Sequence, residues 1–359
     1  MQYLTCLLSL RQTFLFDCVV GRLLYRLPLC EALIAVIVVT AGFACWTLFH
    51  LQKKSVSFIQ PTYIVTEAAG HSIKLWNATS KLMTCQLHGR LGNMMFAYAS
   101  LVGIAQKSGR TPVLPENHFL RSLFHIRAAN LPHRFSGVTK LSELRAGAYD
   151  DQFEQLQSDK QLIELIGYFQ SFKYFVNIEH EIRAEFTFQQ RVAAAVDKFL
   201  HNTIEENFGP DVHRRDVILI GIHVRATDMI SDANIDRGYS VATPDYFTAA
   251  MGWFQHRFPH GQLLYILATD DRKWCSYYFP YKSSGKFPVV HTAVGPDVQD
   301  LAILSVCNHT IMTVGSFGWW AAWLSNGITI YYHNFPRVNS SLALEYILND
   351  YYPDKWIAM

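Results

Sequence analysis

The stretch DVILIGIHV, Asp216 to Val224, is a nearly continuous apolar run in a chain of 359 residues. A run of this kind predicts a central strand of a parallel sheet, buried on both faces. It empties into Arg225-Ala226-Thr227-Asp228, and open α/β sheets bind their ligands just beyond the carboxyl ends of such strands. Working toward the carboxyl terminus, the alternation of strand and helix continues. Thr243-Pro244-Asp245 predicts a helix to about Phe258, with Thr243 as N-cap and Pro244 at its first position. Leu263 to Ala268, Phe287 to His291, Thr310 to Val314 and Ile328 to Tyr332 read as strands, and Asp297 to Cys307 as a helix of period 3.6.

Working toward the amino terminus, Lys81 to Leu87 predicts a short strand that runs into His88-Gly89-Arg90-Leu91-Gly92-Asn93. The following MMFAYASLVGIAQKSG predicts a helix ending at Gly109, and Thr111 to Pro115 the next strand. Strand, glycine loop, helix and strand make a βαβ unit, whose strands are parallel. The region from about Phe119 to Asn207 reads as helix-rich, with Gly167-Tyr168-Phe169-Gln170 as aromatic packing or the rim of a cleft.

From Ala32 to Leu51 the chain has twenty residues without a carboxylate, lysine or arginine. At 1.5 Å per residue that spans a hydrocarbon layer of roughly 30 Å. The expectation is one transmembrane helix at 32–51 after a cytosolic tail at 1–31, then a stem at 52–80, an acceptor-side α/β domain at 81–210 and a nucleotide-binding α/β domain at 211–359. The lipid bilayer is thus an expected partner through residues 32–51. Sequons at Asn77 and Asn339 favour a type II orientation with the carboxyl part lumenal.

Net charge is +2 with 31 basic and 29 acidic residues interspersed, so there is no basic stripe to neutralise phosphates and no nucleic-acid partner is expected. The fifteen histidines form no HExxH motif or zinc-finger spacing. Of seven cysteines, only Cys85, Cys275 and Cys307 follow the apolar segment. Three thiols are not a disulfide scaffold, so the core must hold the fold.

The chemistry-bearing residues sit at predicted strand ends. Arg225 is placed to pair with a diphosphate in bidentate fashion. Gly315-Ser316-Phe317-Gly318 is a second glycine-flanked turn into a helix N-terminus, suited to phosphate oxygens. Asp270 and Asp271 suit hydrogen bonds to a guanine edge or a ribose, and Asp271 equally suits a helix cap. The D-x-D tripeptide, with which many sugar transferases hold a divalent ion on a diphosphate, is absent from the sequence. Arg225 and backbone N–H dipoles are then the expected countercharge, with no metal ligand and no metal cofactor.

Gly89-Arg90-Leu91-Gly92-Asn93, His223-Val224-Arg225 with Asp228, and CNHTIMTVGSFGWWAAWLSNG from Cys307 to Gly327 resemble the three signature regions of the galactoside α-1,2-fucosyltransferases, glycosyltransferase family 11. The resemblance covers roughly residues 82–359. It implies a GT-B-like fold of two Rossmann-like domains with a cleft between them, GDP-fucose as donor, a galactose-terminated glycan as acceptor, inversion at the fucose, no obligatory metal and a Golgi membrane location. Carried over, Arg225 binds the donor diphosphate with His223 beside it. Ser316, Phe317 and Gly318 form the phosphate turn, and Gly92 and Asn93 face the fucose and the reacting centre. Asp228 is a candidate base or an orienter of Arg225. The family pattern His-Val-Arg-Arg-Gly-Asp is broken here by Ala226 and Thr227, and Met94 stands where glutamine is common. Two rival expectations are a fucosyltransferase with another acceptor and a membrane-tethered nucleotide-sugar binding protein without turnover.

Overall fold

The computed structural model describes residues 80–133, 137–156, 158–227, 229–279, 288–292 and 295–359. The predicted tail, membrane segment and nearly all of the stem lie outside those residues, as does Asp228. Among the described residues no helix is long and apolar enough to cross a membrane.

Two parallel sheets organise the chain. The first comprises β1 (Leu82–Cys85), β2 (Thr111–Leu114), β3 (Ala129–Asn130), β4 (Val138–Ser142) and β5 (Leu162–Ile166), in the order β3-β2-β1-β5-β4. Helix α1 (Leu91–Lys107) links β1 to β2, giving the βαβ unit predicted from the glycine loop. Sequence patterning missed β3, β4 and β5 in the middle region. β3 has two residues and β4 alternates only between exposed and half-buried positions, so neither carries an apolar pattern, whereas β5 (LIELI) is apolar but too short to tell a strand from a buried helix segment. β5 nevertheless pairs along all four residues of β1. A helix richness is also present there, in α2 (Gln190–Phe208), whose Val192, Val196, Leu200 and Ile204 form one buried stripe at helical spacing.

The second sheet comprises β6 (Val217–Val224), β7 (Gln262–Thr269), β8 (Val289–His291), β9 (His309–Met312), β10 (Thr329–Tyr331) and β11 (Ile357–Ala358), in the order β11-β10-β9-β6-β7-β8. The apolar run Val217–Val224 is its centre: β6 is flanked by β7 and β9, and seven of its eight residues are buried. β10 is not the edge of this sheet, because Ile357 and Ala358 add a further parallel strand. Between the strands run α3 (Pro244–Arg257), α4 (Arg272–Tyr278), α5 (Asp297–Ser305) and α6 (Ser316–Ser325). Pro244 stands at the start of α3, where its missing N–H costs nothing.

Helix α6 is apolar on every side (SFGWWAAWLS) and seven of its ten residues are buried. A helix of that kind belongs inside, and this one packs against α1 of the first sheet's domain. Phe96 of α1 lies 4.5 Å from the Trp319 ring and 5.1 Å from Trp320, while Phe175 stacks on Trp320 at 5.5 Å. Aromatic pairs of this geometry contribute about 0.5–1.5 kcal/mol each beyond their buried area. Arg183 lies over the Trp323 ring at 4.0 Å and donates to the Leu324 carbonyl, satisfying the end of α6.

The carboxyl-terminal segment returns to the first half of the chain. Asp350 accepts from the Tyr149 N–H and from Lys173 Nζ at 2.8 and 2.7 Å, and its carbonyl accepts from Ser171 Oγ. Gly147 and residues 345–347 exchange two backbone hydrogen bonds. These stitches fix the carboxyl ends of both sheets with respect to each other. Cys85, Cys275 and Cys307 are buried free thiols.

Candidate active site

The helices α1 and α6 meet at their N-termini. A Cβ built on Gly92 would lie 2.6 Å from the Phe317 nitrogen, 2.6 Å from the Ser316 carbonyl carbon and 2.8 Å from Ser316 Oγ. Only hydrogen fits there. Gly92 and Asn93 are therefore not loop residues, as the sequence suggested, but lie in the first turn of α1. Ser316, Phe317 and Gly318 likewise open α6 rather than precede it. The bend into α6 is made by Gly315 at φ 92°, a conformation open to glycine and strained for other residues.

At this junction Ser316 Oγ donates to Asn93 Oδ1 at 2.6 Å. Arg225 leaves the end of β6 and its side chain lies over Gly315, where an added Cβ would be 3.0 Å from Nη1. Its backbone N–H donates to Thr313 Oγ1 at 3.0 Å, so the loops after β6 and β9 are tied beside the arginine. His223 is buried beneath. Its ring lies 5.3 Å from that of Phe317, and Nδ1 would be 2.4 Å from a Cβ on Gly318. Among the described residues that Nδ1 has no hydrogen-bond partner. Burial, then the charge of Arg225, push the imidazole down to about 4 from its ordinary 6.5.

The structure thus brings together Gly92, Asn93, His223, Arg225, Ser316, Phe317 and Gly318. The two aspartates have different neighbours. Asp270 uses both carboxylate oxygens on the loop after β6, accepting from the Ala226 N–H at 2.9 Å and Thr227 Oγ1 at 2.7 Å. Asp271 caps α4, accepting from the Trp274 N–H at 3.0 Å. Thr227, which departs from the family pattern, therefore supplies a tether, and Ala226 is buried. Two further residues border the site without any signal in the sequence: Thr313, and Tyr346, whose hydroxyl donates to the Gln170 side chain that in turn donates to Asn93. A threonine at a strand end and a tyrosine 121 positions beyond Arg225 carry no local pattern, and only the fold brings them near.

Residues 44–359 match the family described as Glycosyl transferase family 11. The chain belongs to that family. Among curated relatives, a galactoside alpha-(1,2)-fucosyltransferase 2 of Sus scrofa is 29% identical over 306 residues, covering 83% of this chain and 86% of the relative. A galactoside alpha-(1,2)-fucosyltransferase 1 of Ateles belzebuth is 30% identical over 257 residues, covering 70% and 68%. Among solved structures, a mutant of Arabidopsis thaliana FUT1 in complex with GDP is 13% identical with a TM-score of 0.47, covering 71% of each chain. Membership in family 11 makes the chain a glycosyltransferase, and the junction of α1 with α6 is its candidate active site.

Two predictions arise from this geometry. Asp270→Ala releases the loop carrying Arg225, and kcat/KM should fall about tenfold, the equivalent of re-ordering one residue of backbone at about 1–2 kcal/mol. Asp270→Asn, which keeps one acceptor, should lose less, and a rate equal to wild type for Asp270→Ala would contradict the tether. The second concerns His223. The unfolded chain takes up a proton below the ordinary value of 6.5, whereas the folded chain does not until about 4. This group's contribution to stability therefore falls as pH drops through that window. Chemical denaturation of His223→Gln between pH 7 and 4 should show a shallower acid loss than wild type, and the kcat/KM profile between pH 5 and 8 should keep its shape.

Proposed function

We propose that the chain is a galactoside α-1,2-L-fucosyltransferase, moving fucose from GDP-fucose to the 2-hydroxyl of a terminal galactose with inversion. The observation that carries this is the meeting of two helix N-termini at Gly92 and Ser316, with Arg225 alongside over Gly315. Helix N-termini hold anions through unsatisfied N–H groups and the helix dipole, and an arginine fork matches phosphate geometry. The leaving GDP acquires charge as the glycosidic bond breaks. Donors already fixed in place stabilise that charge without reorganising. The named relatives are galactoside fucosyltransferases, which supports a galactoside acceptor and a fucosyl donor here.

In this reading Arg225 and the first turn of α6 hold the diphosphate. Asn93 and Gly92 face the fucose, and Asp270 and Asp271 border the nucleoside. Asp228, outside the described residues, is the proposed base or orienter. The acceptor 2-hydroxyl attacks the anomeric carbon from the face opposite the diphosphate, forming an α linkage. The reaction needs no metal, the countercharge coming from Arg225 and N–H dipoles. The protein is further proposed to sit in the Golgi membrane in type II orientation, anchored by residues 32–51 with its catalytic part lumenal.

The test is transfer from GDP-fucose to a panel of β-galactosides by the full-length chain in detergent, with and without chelator. Transfer to the 2-hydroxyl at an unchanged rate in chelator is the expected result. A lost rate restored by divalent ion would overturn the metal-free mechanism, and transfer only to non-galactosides would overturn the acceptor.

A further inference from the structure

Asn93 Oδ1 accepts a second hydrogen bond, from Gln170 Nε2 at 2.9 Å, and Gln170 Oε1 accepts from the Tyr346 hydroxyl, also at 2.9 Å. Four side chains from four separate segments therefore form one line: Tyr346, Gln170, Asn93 and Ser316. Gln170 is buried, at 6% exposure, at the carboxyl end of β5. Its segment is held in turn: Glu143 accepts from the Tyr168 and Phe169 N–H groups at 2.5 and 2.6 Å, and the Gln170 N–H donates to the Ala146 carbonyl.

The line has a direction. A phenol donates well to an amide carbonyl, and Tyr346 donating to Oε1 leaves Gln170 its NH2 to present to Asn93. With Oδ1 of Asn93 occupied by both Gln170 and Ser316, its NH2 must face the other way. Asn93 Nδ2 indeed lies under the Gly89 turn, 2.5 Å from where a Cβ on Gly89 would be, and Gly89 has φ +80°. Among the described residues Nδ2 has no acceptor. A flipped Asn93 would put NH2 against NH2 at Gln170, which costs a buried unmade bond.

We infer that Gln170, held by the Tyr346 hydroxyl, is a positioning residue that locks the Asn93 carboxamide with its NH2 turned to the ligand. This rests on the transferase reading above, in which Asn93 faces the fucose. The donor end of Asn93 then offers two N–H groups to oxygens of the sugar or the departing phosphate, and the acceptor end is held away from them. Neither Gln170 nor Tyr346 need touch the substrate.

The variant that separates this from plain structural support is Gln170→Glu, nearly the same size. Its carboxylate still accepts from Tyr346 but cannot donate to Asn93, so the favoured state has Asn93 reversed. In the full-length chain in detergent, kcat should fall about 10- to 100-fold, the scale of one misdirected transition-state donor, with KM for GDP-fucose within about threefold. Gln170→Met should fall similarly and Tyr346→Phe less. In an Asn93→Ala background Gln170→Glu should cost nothing further, because its effect runs through Asn93. Equal losses in both backgrounds would show ordinary structural support and overturn the inference, as would a wild-type kcat in Gln170→Glu. Side-chain amide NMR with 15N-asparagine labelling reads the orientation independently of turnover. The Asn93 NH2 resonances should move on GDP-fucose addition in wild type and not in Gln170→Glu. If wild type transfers no fucose but those resonances respond as stated, the transferase reading fails and the lock stands. If transfer occurs and the resonances are alike in both proteins, the lock fails and the transferase reading stands.

Discussion

Gly92→Ala should abolish most of the activity while leaving a folded protein. The added methyl would lie 2.6 Å from two backbone atoms of residues 316 and 317. Backbone cannot rotate aside as a side chain can, so the two helices must part by several tenths of an ångström or more. Overpacking of this kind costs typically about 1–3 kcal/mol of stability. The catalytic loss should be larger than that suggests, because the displacement falls on Asn93 and Ser316 themselves. A misplacement near 1 Å costs about 100-fold in rate, so kcat/KM should drop by about that factor. Thermal unfolding and fucose transfer measured on the same preparation will check it. A variant with normal transfer would mean that the contact at Gly92 is not part of the site. Gly318→Ala, whose methyl would meet His223 Nδ1 at 2.4 Å, should be milder, since a side chain can shift.

Arg225→Ala should be the most damaging single change that leaves the fold intact. A hydrogen bond to a charged group contributes about 1.5–3 kcal/mol, so GDP binding measured by calorimetry should weaken by about 10- to 100-fold. The rate should suffer more. Charge on the diphosphate grows in the transition state, and loss of one fixed donor to such charge costs about 100- to 1,000-fold in kcat. Arg225→Lys keeps the charge but not the planar fork, and should fall between alanine and wild type. The departures from the family pattern sharpen the expectation. Ala226 is buried with its N–H given to Asp270, and Thr227 spends its hydroxyl on the same carboxylate. Neither adds positive charge at the proposed diphosphate site, so this chain should depend heavily on Arg225. Equal GDP affinity in Arg225→Ala and wild type would remove the arginine from the donor site.

Much of this architecture can be read locally. A strand buried on both faces must be apolar along its whole length, and Val217–Val224 announces itself for that reason. The βαβ unit around α1 and the strand-to-helix turn at Gly315 are equally legible, because glycine marks places where a side chain cannot go. The sequence pattern puts the starts of α1 and α6 a few residues late, since Gly92 and Gly318 resemble loop residues and only their packed neighbours show otherwise. β3 and β4, at the two edges of the first sheet, leave no repeating apolar pattern, and the apolar run of β5 is too short to tell a strand from a helix segment.

By itself the sequence determined the class of fold and the family, and it named Gly92, Asn93, His223, Arg225, Asp228, Asp270, Asp271, Ser316, Phe317 and Gly318 as the candidate chemistry-bearing set. Each sits in a contiguous motif whose local physics is a strand end or a helix start. Only the tertiary structure decided that these motifs share one place, with Gly92 pressed on Ser316. Only it turned Asp270 into a tether for the Arg225 loop and brought Gln170 and Tyr346, 176 positions apart, into line behind Asn93. Hydrogen bonds across such separations depend on how sheets and helices pack, and packing leaves no spacing rule in the chain.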